Sequence, residues 1–185
     1  MDLKQLFETQ RKLDERIVAE KGLQGKDLLA EKYLALRTEL GELANEWRGF
    51  KFWSEDQKPR TKGSWVCYTG VENGDFINLY ENPLLEEYVD CLHFLLSIGN
   101  EYHFSVYTAL KPTGLDYTIL HQFNQLFNHV ESVKNCMSMG VLGSYEMLFN
   151  GFLNLGRLLG FTDEQIEQAY YDKNKTNHER QYNGY

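Results

Sequence analysis

The 185-residue sequence predicts an all-α helical bundle, and three observations carry that expectation. Apolar residues recur at helical steps of three and four over most of the chain. Helix start and stop signals bound those runs. Strand-like residues gather in one stretch only, within "WVCYTGVENGDFINLY". The length fits a single domain over residues 1–185, able to bury a full core without disulfide or metal staples.

Leu3, Leu6, Phe7, Leu13, Ile17 and Val18 set a first helix over about residues 2–20, with the polar Gln10 and Asp14 on the same stripe. "KGLQGKD" then breaks the pattern, and Asp27 is placed to cap a second helix running to about Gly49. Leu29, Tyr33, Leu36, Leu40, Leu43 and Trp47 form its apolar face. The helical signal fails over about 50–82, an irregular lid or loop insertion with a possible hairpin around "NGD". Asn82 and Pro83 start a third helix, about 83–104, apolar nearly all round and therefore central. A fourth helix fits about 115–138, with Leu120, Phe123, Phe127 and Val130 inside. Ser144 opens a fifth, which Gly160 ends. "TDEQ" at 162–165 is a capping box for the last helix.

A formal net charge of −8 argues against a nucleic-acid binder, which needs a basic surface to release counterions. Cys67, Cys91 and Cys136 are too few and too scattered for a zinc cluster or disulfide framework. They read as reduced thiols of a cytoplasmic protein. The first ten residues hold no signal-peptide core, and "LHFLLSI" is too short to span a bilayer.

The stretch "TELGELANEW" gathers Glu39, Glu42 and Glu46 on one helix. A solvated face accounts for them taken alone. Glu87 and Asp90 repeat the i, i+3 spacing inside an apolar helix with no Lys or Arg nearby in the chain. A buried unpaired carboxylate costs several kcal/mol, so a divalent cation between the two acidic pairs would satisfy both. Carboxylate oxygens suit magnesium or manganese. Asp90 and His93 also resemble half of a di-iron bundle motif, although its other parts are missing. A hydrogen-bonded core histidine explains His93 equally well. Lys173, Asn177 and Arg180 share a helix edge, with Asn174 and Gln181 beside them. That edge suits phosphate oxygens, and equally an ordinary polar helix end. Gln10 and Asp14 fit either satisfied core polars or a pocket that reads a base edge. Phe52, Trp53 and Trp65 are the aromatics available to stack on the base, although packing is the commoner role.

These motifs resemble a known family. Glu39 and Glu42 in ExxE, with Glu87 and Asp90 in ExxD, are similar to the all-α nucleoside-triphosphate pyrophosphohydrolases of the MazG-like superfamily. "ELGELANEWRGFKFWS", "EEYVDCLHFLLSIG", "QRKLDERI" and "YYDKNKTNHERQYNGY" resemble the dimeric dUTPase branch in order. The resemblance implies a homodimer that hydrolyses dUTP and dUDP to dUMP, limiting uracil in DNA and supplying dUMP for dTTP synthesis. It implies two or three magnesium ions, or manganese, on Glu39, Glu42, Glu87 and Asp90. Glu39, with Glu42 beside it, would orient the attacking water. Lys173, Asn174, Asn177 and Arg180 would contact phosphate. Gln10, Asp14, Trp53 and His93 would form the base pocket. Asp14 departs from the family, which has Asn there; an ionised Asp only accepts hydrogen bonds. A relative preferring dCTP or another dNTP, and a non-catalytic helical binding module, are the alternatives.

Overall fold

The computed structural model describes residues 1–62, 82–104, 117–136 and 140–182. Six helices occupy them: α1 Leu3–Glu20, α2 Leu29–Trp47, α3 Pro83–Glu101, α4 Ile119–Asn135, α5 Val141–Leu158 and α6 Asp163–Tyr182. No strand occurs among the described residues. The anticipated hairpin, Trp65 and Cys67 lie outside them.

α3 is the centre of the bundle. It packs against α1, α2, α5 and α6, while α4 joins α2 to α5. Its sequence explains that position: Leu84, Val89, Leu92, Leu95, Leu96 and Ile98 are all sealed from solvent, on several faces of one helix. Two glycines let neighbours come close. A Cβ at Gly99 would collide with Tyr145 and Phe7, and one at Gly156 with Tyr88. The tyrosines use that proximity. The Tyr145 hydroxyl donates to Leu95 O at 3.0 Å and the Tyr88 hydroxyl to Phe152 O at 3.2 Å. No helix among the described residues is long and apolar enough to cross a membrane.

The caps follow local chemistry. Asn82 accepts from Leu85 N at 3.1 Å, with Pro83 at the first helical position. Thr162 and Gln165 exchange the two hydrogen bonds of a capping box. Gly160 has φ +87°, and Phe161 N closes back on Gly156 O at 3.0 Å.

The expectations for four helices need correction. Asp27 binds Leu29 N at 3.0 Å, but the helix begins beyond it, with Leu28 as an uncapped N-cap. α3 stops at Glu101, and His103 follows at φ 57°. α4 begins at Ile119 because Thr118 caps it. Its buried stripe is Phe123, Leu126, Val130 and Val133, whereas Leu120 and Phe127 are exposed. Gln122 lies inward instead, where Asn154 on α5 donates to its side-chain oxygen at 3.0 Å in the core. α5 begins at Val141, three residues before Ser144, because Val141 is itself part of the core.

The first part of the irregular stretch is tied to the bundle. Arg48, at φ 64°, grips Asp56 O through Nε at 3.0 Å and Nη2 at 2.8 Å. Backbone bonds link Arg60 N to Glu46 O and Leu84 N to Arg60 O, both at 3.0 Å. This return crosses the C-terminus of α2 and the N-terminus of α3, the two helices that carry the acidic motifs.

Candidate active site

One turn of α2 presents Glu39 and Glu42, and one turn of α3 presents Glu87 and Asp90. Packing of α2 on α3 brings carboxylate oxygens of Glu39, Glu42 and Glu87 within 4.8 Å of one another. Burial pushes the Glu39 carboxyl up to about 7, helped by the negative charges of Asp90 and Glu42 and opposed by Lys173. Burial likewise pushes Glu87 up to about 7, with Asp90, Glu42, Glu39 and Glu86 adding to it. Three acids gathered in partly buried space repel one another unless protons or a cation intervene. The donor set is entirely carboxylate oxygen, which fits a hard divalent cation. Glu46 stands apart and pairs with Arg60 at 3.1 Å.

Asp90 has a cationic partner that is remote in the chain. Lys173 on α6 places Nζ 2.7 Å from Asp90 Oδ2 and 2.7 Å from Glu86 Oε1. The expectation of an unpaired Asp90 is therefore corrected: α6 returns across α3 and supplies the charge. Burial still raises the Asp90 carboxyl, against the pull of the Lys173 hydrogen bond and charge. Cys91 lies fully buried, its thiol pushed well above the usual range by burial and then by Glu39, Asp90 and Glu87. Such a thiol is no nucleophile.

A second polar group lies where α1, α3 and α6 meet. Gln10 is buried, and its Nε2 donates to Asp14 Oδ1 at 2.8 Å. Its Oε1 faces His93 Nδ1 at 2.6 Å and accepts from the Tyr170 hydroxyl at 3.0 Å. Burial, then the charge of Lys173, pushes His93 down to about 3, so the ring is neutral. Burial also raises the Asp14 carboxyl, while Lys32, Gln10 and Ser97 work against it. His93 Nε2, Asp14 Oδ2 and Asn174 Nδ2 are buried without a hydrogen-bond partner. Each orphaned atom costs on the order of 1–3 kcal/mol, which a ligand could recover.

The sequence-derived candidates thus fall into connected groups. Glu39, Glu42 and Glu87 converge, and Asp90 borders them through Lys173. Gln10, Asp14 and His93 form one network. Asn174 is buried one residue beyond Lys173, and the charge of Arg180 reaches Asp90. Asn177 is half-buried on the same helix. Trp53 sits in the stretch after α2, well exposed, its ring in edge contact with Phe50 and Phe52. Sequence reasoning missed Tyr170 and Glu86. Tyr170 precedes Lys173 and Asn174 by three and four residues, so helical spacing already placed it on their face. Glu86 adjoins Glu87 and carried no separate signal.

A family model described as dUTPase matches residues 2–68 and 78–185. No curated protein matches the chain.

Proposed function

The chain belongs to the all-α dUTPase family and is a dUTP diphosphatase, a hydrolase; on that premise we propose how its residues divide the work. The observation that carries the proposal is the convergence of Glu39, Glu42 and Glu87 within 4.8 Å.

Glu39, Glu42, Glu87 and Asp90 would hold two or three magnesium ions, for which manganese could substitute. When bound, such ions neutralise phosphate oxygens and make water a stronger nucleophile. Glu39 would orient the attacking water and accept its proton, with Glu42 beside it. Lys173, Asn174, Asn177 and Arg180 grip the phosphate chain through charge-assisted and amide hydrogen bonds. Lys173 must then share its charge between Asp90, Glu86 and phosphate. Gln10, Asp14, Trp53 and His93 read the base. The products from dUTP are dUMP and pyrophosphate, and dUDP is a second substrate. The chain works as one domain and as a cytoplasmic homodimer, limits uracil in DNA and supplies dUMP for dTTP synthesis.

One observation favours a second reading. Asp14 keeps a buried carboxylate oxygen without a hydrogen-bond partner, and an ionised carboxylate accepts from the amino group of cytosine. A dCTP-preferring enzyme would use it so. Pyrophosphate release from dUTP, dCTP and dTTP at equal magnesium separates the two. The proposal requires the highest kcat/KM with dUTP; a higher value with dCTP would establish the second reading.

A further inference from the structure

We propose that Tyr170 on α6 is a positioning residue for base selection: its hydroxyl fixes the orientation of the Gln10 amide and, through it, the tautomer of His93. The inference rests on the reading that Gln10, Asp14 and His93 face the base.

The hydrogen bonds leave one consistent assignment. Tyr170 is fully buried, and its ring stacks on His93 at 4.4 Å with 23° between planes. Its hydroxyl proton goes to Gln10 Oε1 at 3.0 Å, closer than the alternative acceptor Leu6 O at 3.4 Å. The Gln10 amide nitrogen is engaged by Asp14 Oδ1 at 2.8 Å. The amide oxygen therefore faces both Tyr170 and His93, and at 2.6 Å His93 Nδ1 must carry the proton. His93 Nε2 is then a lone pair, buried and without a partner, as is Asp14 Oδ2. The network offers His93 Nε2 and Asp14 Oδ2 as acceptors, so the group it takes is an N–H or O–H donor. Uracil keeps a proton on N3 and can give it to an acceptor facing that atom. Neutral cytosine presents a lone pair at N3 and donates only from its exocyclic amino group, so an acceptor held opposite N3 is left unpaired by cytosine.

Without the Tyr170 hydroxyl, one anchor of the amide oxygen is gone. Rotation of the Gln10 amide then turns N–H toward His93 Nδ1, which moves the ring proton to Nε2. A free acceptor becomes a donor. Asp14 can follow by protonation, since burial already favours its neutral form.

The test uses the full-length enzyme and Tyr170→Phe, which keeps the stacked ring and the core volume. Nitrogen-15 NMR of the histidines reads the tautomer; kcat/KM for dUTP and dCTP reads selection. The wild type is expected in the Nδ1–H form, and Tyr170→Phe is expected to populate Nε2–H. Loss of one buried hydrogen bond predicts a fall of about tenfold in the dUTP:dCTP ratio. A wild-type Nε2–H ring, or a variant with unchanged tautomer and ratio, overturns the proposal. Gln10→Ala identifies which reading fails. If it abolishes selection while Tyr170→Phe does not, only the role of Tyr170 is wrong. If neither variant changes the ratio, the base-pocket reading and the proposal fall together.

Discussion

Glu39 and Glu87 make the site sensitive to pH before any ligand arrives. Each is raised from an unfolded value of 4.5 to about 7, so between those values the folded chain holds more protons than the unfolded one. Their contribution to stability is full below 4.5 and is lost as pH rises through about 7. His93 acts oppositely: lowered from 6.5 to about 3, it costs stability as pH falls below 6.5. Comparing wild type with Glu39→Gln/Glu87→Gln cancels the histidine. In the absence of divalent ions, the double variant's Tm advantage should grow from pH 5 to pH 8 and shrink again when magnesium is added. A constant difference across that range would show that the two carboxyls are not strained by their neighbours. Asp90→Asn is expected to keep the fold while removing the charge that pairs with Lys173 beside the acid cluster. Loss of a group aimed at the reacting charge typically costs about 100-fold or more in kcat. Full turnover in the folded variant would remove Asp90 from the site.

α6 joins the acid cluster to the Gln10–His93 network, the two halves of the proposed site. Ile166, Tyr170 and Asn174 form its buried stripe at steps of four, and Lys173 adds the ion pair to α3. Beyond Asn174 no residue of the helix is fully buried. Hydrogen exchange should therefore be slow up to about Asn174 and fast after it. A non-hydrolysable dUTP analogue with magnesium should slow exchange chiefly from Lys175 onward, through Asn177 and Arg180. Equal exchange with and without the analogue would make the helix end a bystander. On α3, Gly99→Ala should destabilise despite its better helix propensity. Tyr145 cannot withdraw without losing its bond to Leu95 O, so overpacking of about 1–3 kcal/mol outweighs a gain of about 1 kcal/mol. Urea unfolding measures the difference.

The legible elements were those whose information is local. Capping boxes and the apolar circumference of α3 act within a few residues, so Asn82, Pro83 and "TDEQ" identified themselves. α4 was misread because Gln122 enters the core on the strength of Asn154, a partner from another helix. The same holds in the site. The acid spacing of Glu39, Glu42, Glu87 and Asp90 was visible, but the pairing of Asp90 with Lys173 depends on α6 folding back.

At the scale of the whole molecule, apolar side chains remain exposed on α2, α4 and α5, among them Leu34, Leu120, Phe127 and Met147. The proposed homodimer would cover part of this surface. Sedimentation should show a dimer, and Phe127→Asp should raise the monomer fraction without loss of helix; a monomeric wild type would contradict it.

The proposed activity depends most on the three converging carboxylates holding a divalent cation for dUTP hydrolysis. The direct measurement is dUMP formation from dUTP as magnesium is titrated into EDTA-dialysed wild type and Glu87→Gln. No turnover is expected without magnesium, with saturable recovery in the wild type and a higher magnesium requirement with lower maximal rate in the variant. Undiminished turnover of the dialysed wild type, or a folded Glu87→Gln that titrates as the wild type does, would contradict it.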